Sequence, residues 1–70
     1  MNELTIVRQA ILNEVEGRAF YEMASAQASN VEVKAALNHL GNEEKEHERW
    51  LRSLNQNLQE KIPLYLIGTR

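Results

Sequence analysis

The chain has 70 residues, of which 43% are hydrophobic and 26% charged, and its formal net charge is −2. Acidic and basic residues are interspersed, which excludes the clustered basic surface of a nucleic-acid-binding protein. The sequence has no cysteine, so disulfide bonds and thiolate metal sites are excluded as well.

No stretch approaches the roughly 20 apolar residues of a transmembrane helix, and the N-terminal residues lack the basic start and apolar run of a signal peptide. We therefore expect a cytoplasmic protein with no membrane or nucleic-acid partner. Chains below roughly 70–80 residues rarely bury a sufficient core without disulfides, metal or oligomerisation. Because disulfides are excluded, this single small domain needs a metal, a second copy, or both.

The first predicted element is a helix from about Glu3 to Ala28, because helix-forming residues dominate and glycine and proline are scarce. Spacings of three and four residues define one stripe along this helix. Glu14 interrupts the stripe between apolar positions. The stripe consists of Leu4, Val7, Ile11, Glu14, Arg18, Tyr21 and Ser25.

A turn at residues 29–32 follows, with Asn30 as the expected N-cap of a second helix. That helix runs from about Val31 to Lys61, and Pro63 ends it because proline lacks an amide donor and clashes with the preceding turn. The chain therefore divides into a helical hairpin, residues 1–62, and a C-terminal tail, residues 63–70. The predicted fold class is all-α.

The second helix carries an apolar stripe that holds for nearly four heptads. Its two polar exceptions, Glu44 and His47, are neighbours in the middle of the stripe. The stripe consists of Val33, Leu37, Leu40, Glu44, His47, Leu51, Leu54 and Leu58.

An antiparallel hairpin folded at residue 30 places Glu14 in the same layer as Glu44. His47 lies one turn further along the second helix, and Tyr21 is predicted to lie opposite Leu37. The polar exceptions of the two helices therefore meet inside an otherwise apolar seam.

A divalent cation would explain why carboxylates share a seam. An unpaired buried carboxylate is costly, and two facing carboxylates repel each other, but a cation binds their oxygens together with an imidazole nitrogen. Glu44 and His47 project from the same helix face because they are three residues apart. One hairpin supplies only three ligands, whereas a two-fold-related copy doubles the set and covers the exposed leucines. The doubled set is that of di-iron carboxylate four-helix bundles.

A solvated surface is the alternative interpretation of the same residues. Glu14 can form an ion pair with Arg18 four residues later, and Glu44 with His47 can belong to a charged helix face. The chain is then a non-catalytic helical assembly or interaction module, with a structural metal or none.

The motifs resemble those of the ferritin-like superfamily, most closely its rubrerythrin-like members and the encapsulated ferritins. The resemblance rests on EVEGRAFY, residues 14–21, and on EEKEH, residues 43–47. It implies a ferritin-like four-helix bundle built from two antiparallel hairpins, with Glu14, Glu44 and His47 as metal-binding and catalytic residues. Tyr21 would form a hydrogen bond near the metals.

The resemblance also implies the activity, which is oxidation of Fe(II) by dioxygen or peroxide at a di-iron site between subunits. Such a ferroxidase-type protein serves iron handling or protection from oxidative stress. Ligand sets rich in oxygen with one imidazole per metal also suit manganese or zinc. The implied assembly is a homodimer or a larger homo-oligomer.

Other polar and small residues are predicted to have structural roles. His39 is expected at the surface near Glu43, four residues later, and Glu43, Glu46 and Glu48 on a solvated face. Small residues recur every seven positions on the first helix and permit a close approach of another helix: Ala10, Gly17 and Ala24.

The tail sequence LYLIGTR, residues 64–70, has three interpretations. It packs on a leucine surface of a neighbouring subunit, or it begins a third structural element. It also resembles the short apolar terminal peptides that dock cargo inside encapsulin shells, which would place the protein in such a compartment.

Overall fold

A computed structural model describes residues 2–60, which form two helices. Helix α1 spans Glu3–Gln27 and helix α2 spans Val31–Glu60. They pack against each other along their lengths as an antiparallel hairpin, and the described residues contain no strand. This confirms the all-α hairpin. The predicted helix end at Lys61, the stop at Pro63 and the tail lie outside the described residues.

Both helices begin at an asparagine cap. The side chain of Asn2 accepts a hydrogen bond from the amide of Thr5 at 2.8 Å, and the side chain of Asn30 accepts one from the amide of Val33 at 2.9 Å. Each cap satisfies an amide that has no partner inside its own helix. The predicted cap at Asn30 is therefore confirmed. Neither helix is apolar enough, over the part of the chain that is described, to cross a bilayer.

The C-terminus of α1 is stabilised by a residue of α2. The last turn of α1 has no basic residue of its own, but the Nζ of Lys34 donates to the carbonyl of Ser25 at 2.6 Å. Ser25 is 4% exposed, and its hydroxyl donates to Oδ1 of Asn38 at 2.6 Å. These bonds tie the start of α2 to the end of α1, where the helix dipole favours a cation.

We expect Lys34→Met to destabilise the protein by about 1 kcal/mol, because a charged hydrogen bond to a helix end is lost. Urea denaturation at a fixed protein concentration measures the change. The matched control is Lys45→Met, since Lys45 lies 3.9 Å from Glu22 in an exposed pair that contributes little. An equal loss of unfolding free energy in both variants would show that the hydrogen bond from Lys34 to the Ser25 carbonyl does not stabilise the fold.

The contacts between the helices follow the predicted stripe on α1 and follow it in part on α2. Val7 and Ile11 are buried at 9% and 8% exposure. On α2, Gly41 is buried, whereas Leu40 is 37% exposed and the His47 side chain is 55% exposed. Five of the eight stripe residues of α2 are partly buried: Leu37, Glu44, Leu51, Leu54 and Leu58. The face of α2 that meets α1 is therefore rotated from the predicted stripe by less than the roughly 100° of one residue. Leucine spacing shows which residues avoid water, but not which neighbour each one packs against.

The predicted register between the helices is also wrong by about one turn. Glu44 lies beside Gly17, three residues along from Glu14, and the Cβ of Tyr21 lies beside Gly41 rather than Leu37. At Gly17 the absence of a side chain leaves room for the Glu44 carboxylate, whereas a Cβ at Gly41 would lie at an ordinary contact distance of 3.6 Å from the Cβ of Tyr21. The predicted close approach of another helix at the small residues of α1 stays a prediction, since the atoms nearest Gly17 are those of the Glu44 side chain.

The two open sides of the hairpin differ in chemistry. At about 100° per residue, the apolar edge of α2 lies on the same side as the small residues of α1, where Glu44 meets Gly17. We call this side the apolar face, and its residues are Ala10, Gly17, Ala24, Val33, Leu40, His47 and Leu54. The other side, the charged face, carries the ion pairs of Arg18 with Glu48 and of Lys45 with Glu22.

Candidate metal centre

The structure brings Glu14, Glu44 and His47 together at the middle of the hairpin. One potential ligand atom from each residue lies within 4.8 Å of the other two. Glu14 projects from α1, while Glu44 and His47 are one turn apart on α2 and so share a face. The Nδ1 of His47 is 3.4 Å from Oε2 of Glu14. The sequence motif thus corresponds to a cluster in three dimensions.

Burial differs among the three residues and gives the cluster a direction. The Glu14 side chain is 24% exposed and that of His47 is 55% exposed, and Glu44 is half-buried. The carboxylates therefore form the floor of the cluster, and the imidazole borders the apolar face. A bound ion would be enclosed by the hairpin on one side only.

The carboxyl pair is electrostatically strained without a cation. A hydrogen bond with Glu14 is the main cause that raises the pKa of Glu44, and burial and the Glu14 charge raise this pKa further. Nearby His47 lowers it in part. When both carboxyl groups are ionised, neither has a proton to donate, so they cannot form a hydrogen bond with each other. In addition, Oε2 of Glu14 is buried without a hydrogen-bond partner.

These features fit a divalent cation. Two carboxylates and an imidazole supply oxygen and nitrogen donors, and a cation would offset the repulsion between the two carboxylates. It would also give the buried Oε2 of Glu14 a positive partner.

Gly17 makes room for one of these carboxylates. A Cβ built at Gly17 would lie 3.0 Å from Oε2 of Glu44 and 3.4 Å from its carboxyl carbon. Any other residue there would have to displace the Glu44 carboxylate by a few tenths of an ångström. This explains a glycine inside α1, where it costs about 1 kcal/mol relative to alanine.

Comparison with known families agrees with a metal site in this chain. The sequence model of the rubrerythrin family matches residues 5–66, which include both helices almost entirely. The chain belongs to the rubrerythrin family. Searches of curated proteins and of solved structures found no significant match. Rubrerythrin-family proteins are ferritin-like and typically bind iron, in agreement with the resemblance drawn from the two motifs.

Tyr21 forms no hydrogen bond with the cluster among the described residues. It is half-buried beside Gly41, and its ring meets that of Phe20 edge-on at 5.6 Å. Among the described residues its hydroxyl forms no hydrogen bond to Glu14, Glu44 or His47. The predicted role of Tyr21 near the metals stays a prediction.

The surface predictions hold for three residues and fail for Glu48. His39 lies 3.4 Å from Glu43 in an exposed pair, and the Glu46 side chain is 68% exposed. The Glu48 side chain is only 13% exposed and forms ion pairs with Arg18 at 3.1 Å and Arg52 at 2.8 Å. The signal that could have placed Glu48 in the seam is its spacing of four residues after Glu44.

Proposed function

We propose that two copies of the hairpin pack through their apolar faces about a two-fold axis and form a ferritin-like four-helix bundle. A single hairpin has a small core, since its buried apolar residues among those described are Val7 and Ile11. Val33 and Leu40 remain 49% and 37% exposed. Exposed apolar residues around an otherwise polar site favour a partner surface.

The apolar face suits a second copy better than the charged face. Ala10 and Ala24 of α1 leave room for side chains of a partner helix, as in close helix packing, while the space at Gly17 holds the Glu44 carboxylate. The charged face has ion pairs already formed within one chain, and burying them would cost desolvation. A two-fold axis on the apolar face brings both His47 imidazoles toward one centre.

The resulting site would hold two metal ions with four carboxylates and two imidazoles. Glu14 and Glu44 of each copy would supply oxygen, and each His47 one nitrogen, which is the donor set of di-iron carboxylate bundles. The observation that carries this proposal is the incomplete cluster of three ligands, half enclosed and open toward the apolar face.

We propose Fe(II) oxidation as the reaction at this site. Iron held by Glu14, Glu44 and His47 would supply the redox chemistry, which is the transfer of one electron from each of two Fe(II) ions to dioxygen, with uptake of two protons, to give hydrogen peroxide. With hydrogen peroxide as oxidant, the same two electrons and two protons yield two waters. The negative charges of the Glu14 and Glu44 carboxylates would stabilise the higher positive charge of the oxidised ions. The leucines of the dimer interface would limit the access of water to the site.

The metal and the surroundings of the protein are proposed with the same site. Iron is favoured by membership of the rubrerythrin family, while the donor set also suits manganese or zinc. Cytoplasmic location and docking in an encapsulin shell through residues 63–70 stay predictions, and the tail lies outside the described residues.

Oxygen-dependent oxidation of Fe(II) by the purified protein tests the proposal. We expect catalysed oxidation in the wild type and a loss of at least about tenfold in Glu44→Ala, because a direct ligand is removed. Glu43→Ala is the matched control, since the adjacent Glu43 side chain is 50% exposed and pairs with His39. Equal rates in wild type and Glu44→Ala would refute the assignment. Metal binding without oxidation would favour the non-catalytic module.

A further inference from the structure

The pairing of Arg18 matters to the proposed metal site because Arg18 shares a helix face with Glu14. The two residues are four positions apart on α1, with the acidic residue first, which is the favourable order for an ion pair within a helix. Such a pair would place a guanidinium on a carboxylate that the metal needs. Local sequence alone therefore favours a contact that would compete with metal binding.

In the structure Arg18 is paired across the hairpin instead. Its Nη1 lies 3.1 Å from Oε1 of Glu48 on α2. The other oxygen of Glu48 accepts a hydrogen bond from Nε of Arg52 at 2.8 Å, which orients the carboxylate toward α1. The Glu48 side chain is 13% exposed, so this ion pair is less screened by water than one on the helix surface.

The consequence appears at Glu14. Its Oε2 is buried and has no hydrogen-bond partner, although an arginine lies one turn away on the same helix. The same oxygen is 3.4 Å from Nδ1 of His47, at the centre of the three-ligand cluster. A carboxylate that is free of its nearest cation remains available to a metal ion.

We infer that Glu48 is a positioning residue that holds Arg18 away from Glu14 and so keeps this carboxylate available for metal. The inference rests on the proposed function, since it requires that Glu14 be a metal ligand. Glu48 acts through Arg18 and does not contact the metal. Without the Glu48 charge, Arg18 turns to Glu14 and competes with the ion.

Calorimetric titration of the full chain with Co²⁺ tests this inference without relying on activity. We expect Glu48→Gln to weaken Co²⁺ binding by roughly tenfold, the lower end of the effects seen for groups that support metal ligands. Glu46→Gln is the matched control, because it removes the same charge next to His47 from an exposed pair with Arg49. We expect its affinity to stay within about threefold of the wild type.

The double variant Arg18→Met with Glu48→Gln separates positioning from a structural role. Removing the competing guanidinium should restore Co²⁺ affinity to within about threefold of Arg18→Met alone. A merely structural defect would persist or grow in the double variant. Circular dichroism checks that each variant keeps its helices. If Glu48→Gln has lost its helices, Glu48→Asp takes its place, because aspartate keeps the negative charge on a shorter side chain. Glu48→Asp should weaken binding less than tenfold, with the same rescue by Arg18→Met.

The outcomes separate the inference from the proposed function. If the wild type does not bind Co²⁺, the metal site itself is refuted. If the wild type binds but Glu48→Gln matches Glu46→Gln, or Arg18→Met gives no rescue, the metal site stands and the role of Glu48 is refuted.

Discussion

Leu40→Lys is expected to abolish both dimerisation and metal binding, although Leu40 is not a ligand. Leu40 lies on the apolar face at 37% exposure, one and two turns from the cluster residues Glu44 and His47. Only the exposed third of Leu40 is left to bury in a dimer, so each copy loses about 0.5–1 kcal/mol of apolar burial, and the two-fold axis doubles this loss. The dimerisation constant should fall by about tenfold from this loss, and the larger cost comes from burying two charged lysines in the interface.

Light scattering with size-exclusion chromatography measures the predicted effect. The metal-loaded wild type should have at least twice the 8.1 kDa mass of the chain, and Leu40→Lys should remain at the mass of one chain. The matched control is Leu12→Lys, since Leu12 is 47% exposed and lies about 150° around α1 from the seam. A dimer that survives in Leu40→Lys but not in Leu12→Lys would place the interface on the other side of α1.

Glu44→Gln is expected to stabilise the metal-free protein at neutral pH while it removes metal affinity. The raised pKa of Glu44 means that the folded chain binds a proton there more tightly than the unfolded chain does. Stability from this group is therefore fully present below its ordinary pKa of 4.5 and is lost as pH rises through the raised folded value. Glutamine forms a hydrogen bond with Glu14 at every pH, so the loss should disappear in the variant.

Urea denaturation of the metal-free protein from about pH 4.5 to pH 8 measures this dependence. The quantity compared at each pH is the free energy of unfolding of the wild type and of Glu44→Gln. Glu48 titrates in the opposite sense, because Arg52 and then Arg18 hold the pKa of its carboxyl below the usual range. Its contribution is present above 4.5 and is lost only as pH falls below that value. The window above pH 4.5 therefore excludes the contribution of Glu48. A difference that does not grow with pH would contradict the carboxyl pairing.

A bound divalent metal should make the wild type more stable than Glu44→Gln, the reverse of the order expected without metal. Once a divalent cation is bound, the ionised Glu44 gains a positive partner and wild type becomes the more stable chain. A melting temperature of Glu44→Gln that rises with added Co²⁺ as much as that of the wild type would show that Glu44 is not a ligand.

The sequence predicted the helices and the ligand cluster because both depend on short-range spacing. Scarce glycine and proline with asparagine at position 30 indicate where the helices lie, and Glu44 with His47 share a helix face at any register. Glu14 reaches them despite the shifted register, since a long carboxylate spans one turn. The spacing of residues along each helix was therefore enough to predict that Glu14, Glu44 and His47 lie together.

The register and the role of Glu48 could not be read from spacing. The register depends on contacts between the two helices, such as Glu44 with Gly17 and Tyr21 with Gly41, and the spacing within either helix does not specify these contacts. Glu48 looked like one more solvated charge, because its partner Arg18 is thirty residues earlier in the chain. Its burial follows from the rotation of α2 that brings Gly41 to the seam.

In the proposed dimer, two copies of the chain share one metal site. Anomalous scattering at the iron edge, from crystals grown with Fe(II) without oxygen, tests it most directly. We expect two iron peaks roughly 3.5–4 Å apart, related by a two-fold axis, with Glu14, Glu44 and His47 of both copies around them. A single peak held by one hairpin, or iron bound away from these residues, would contradict the claim.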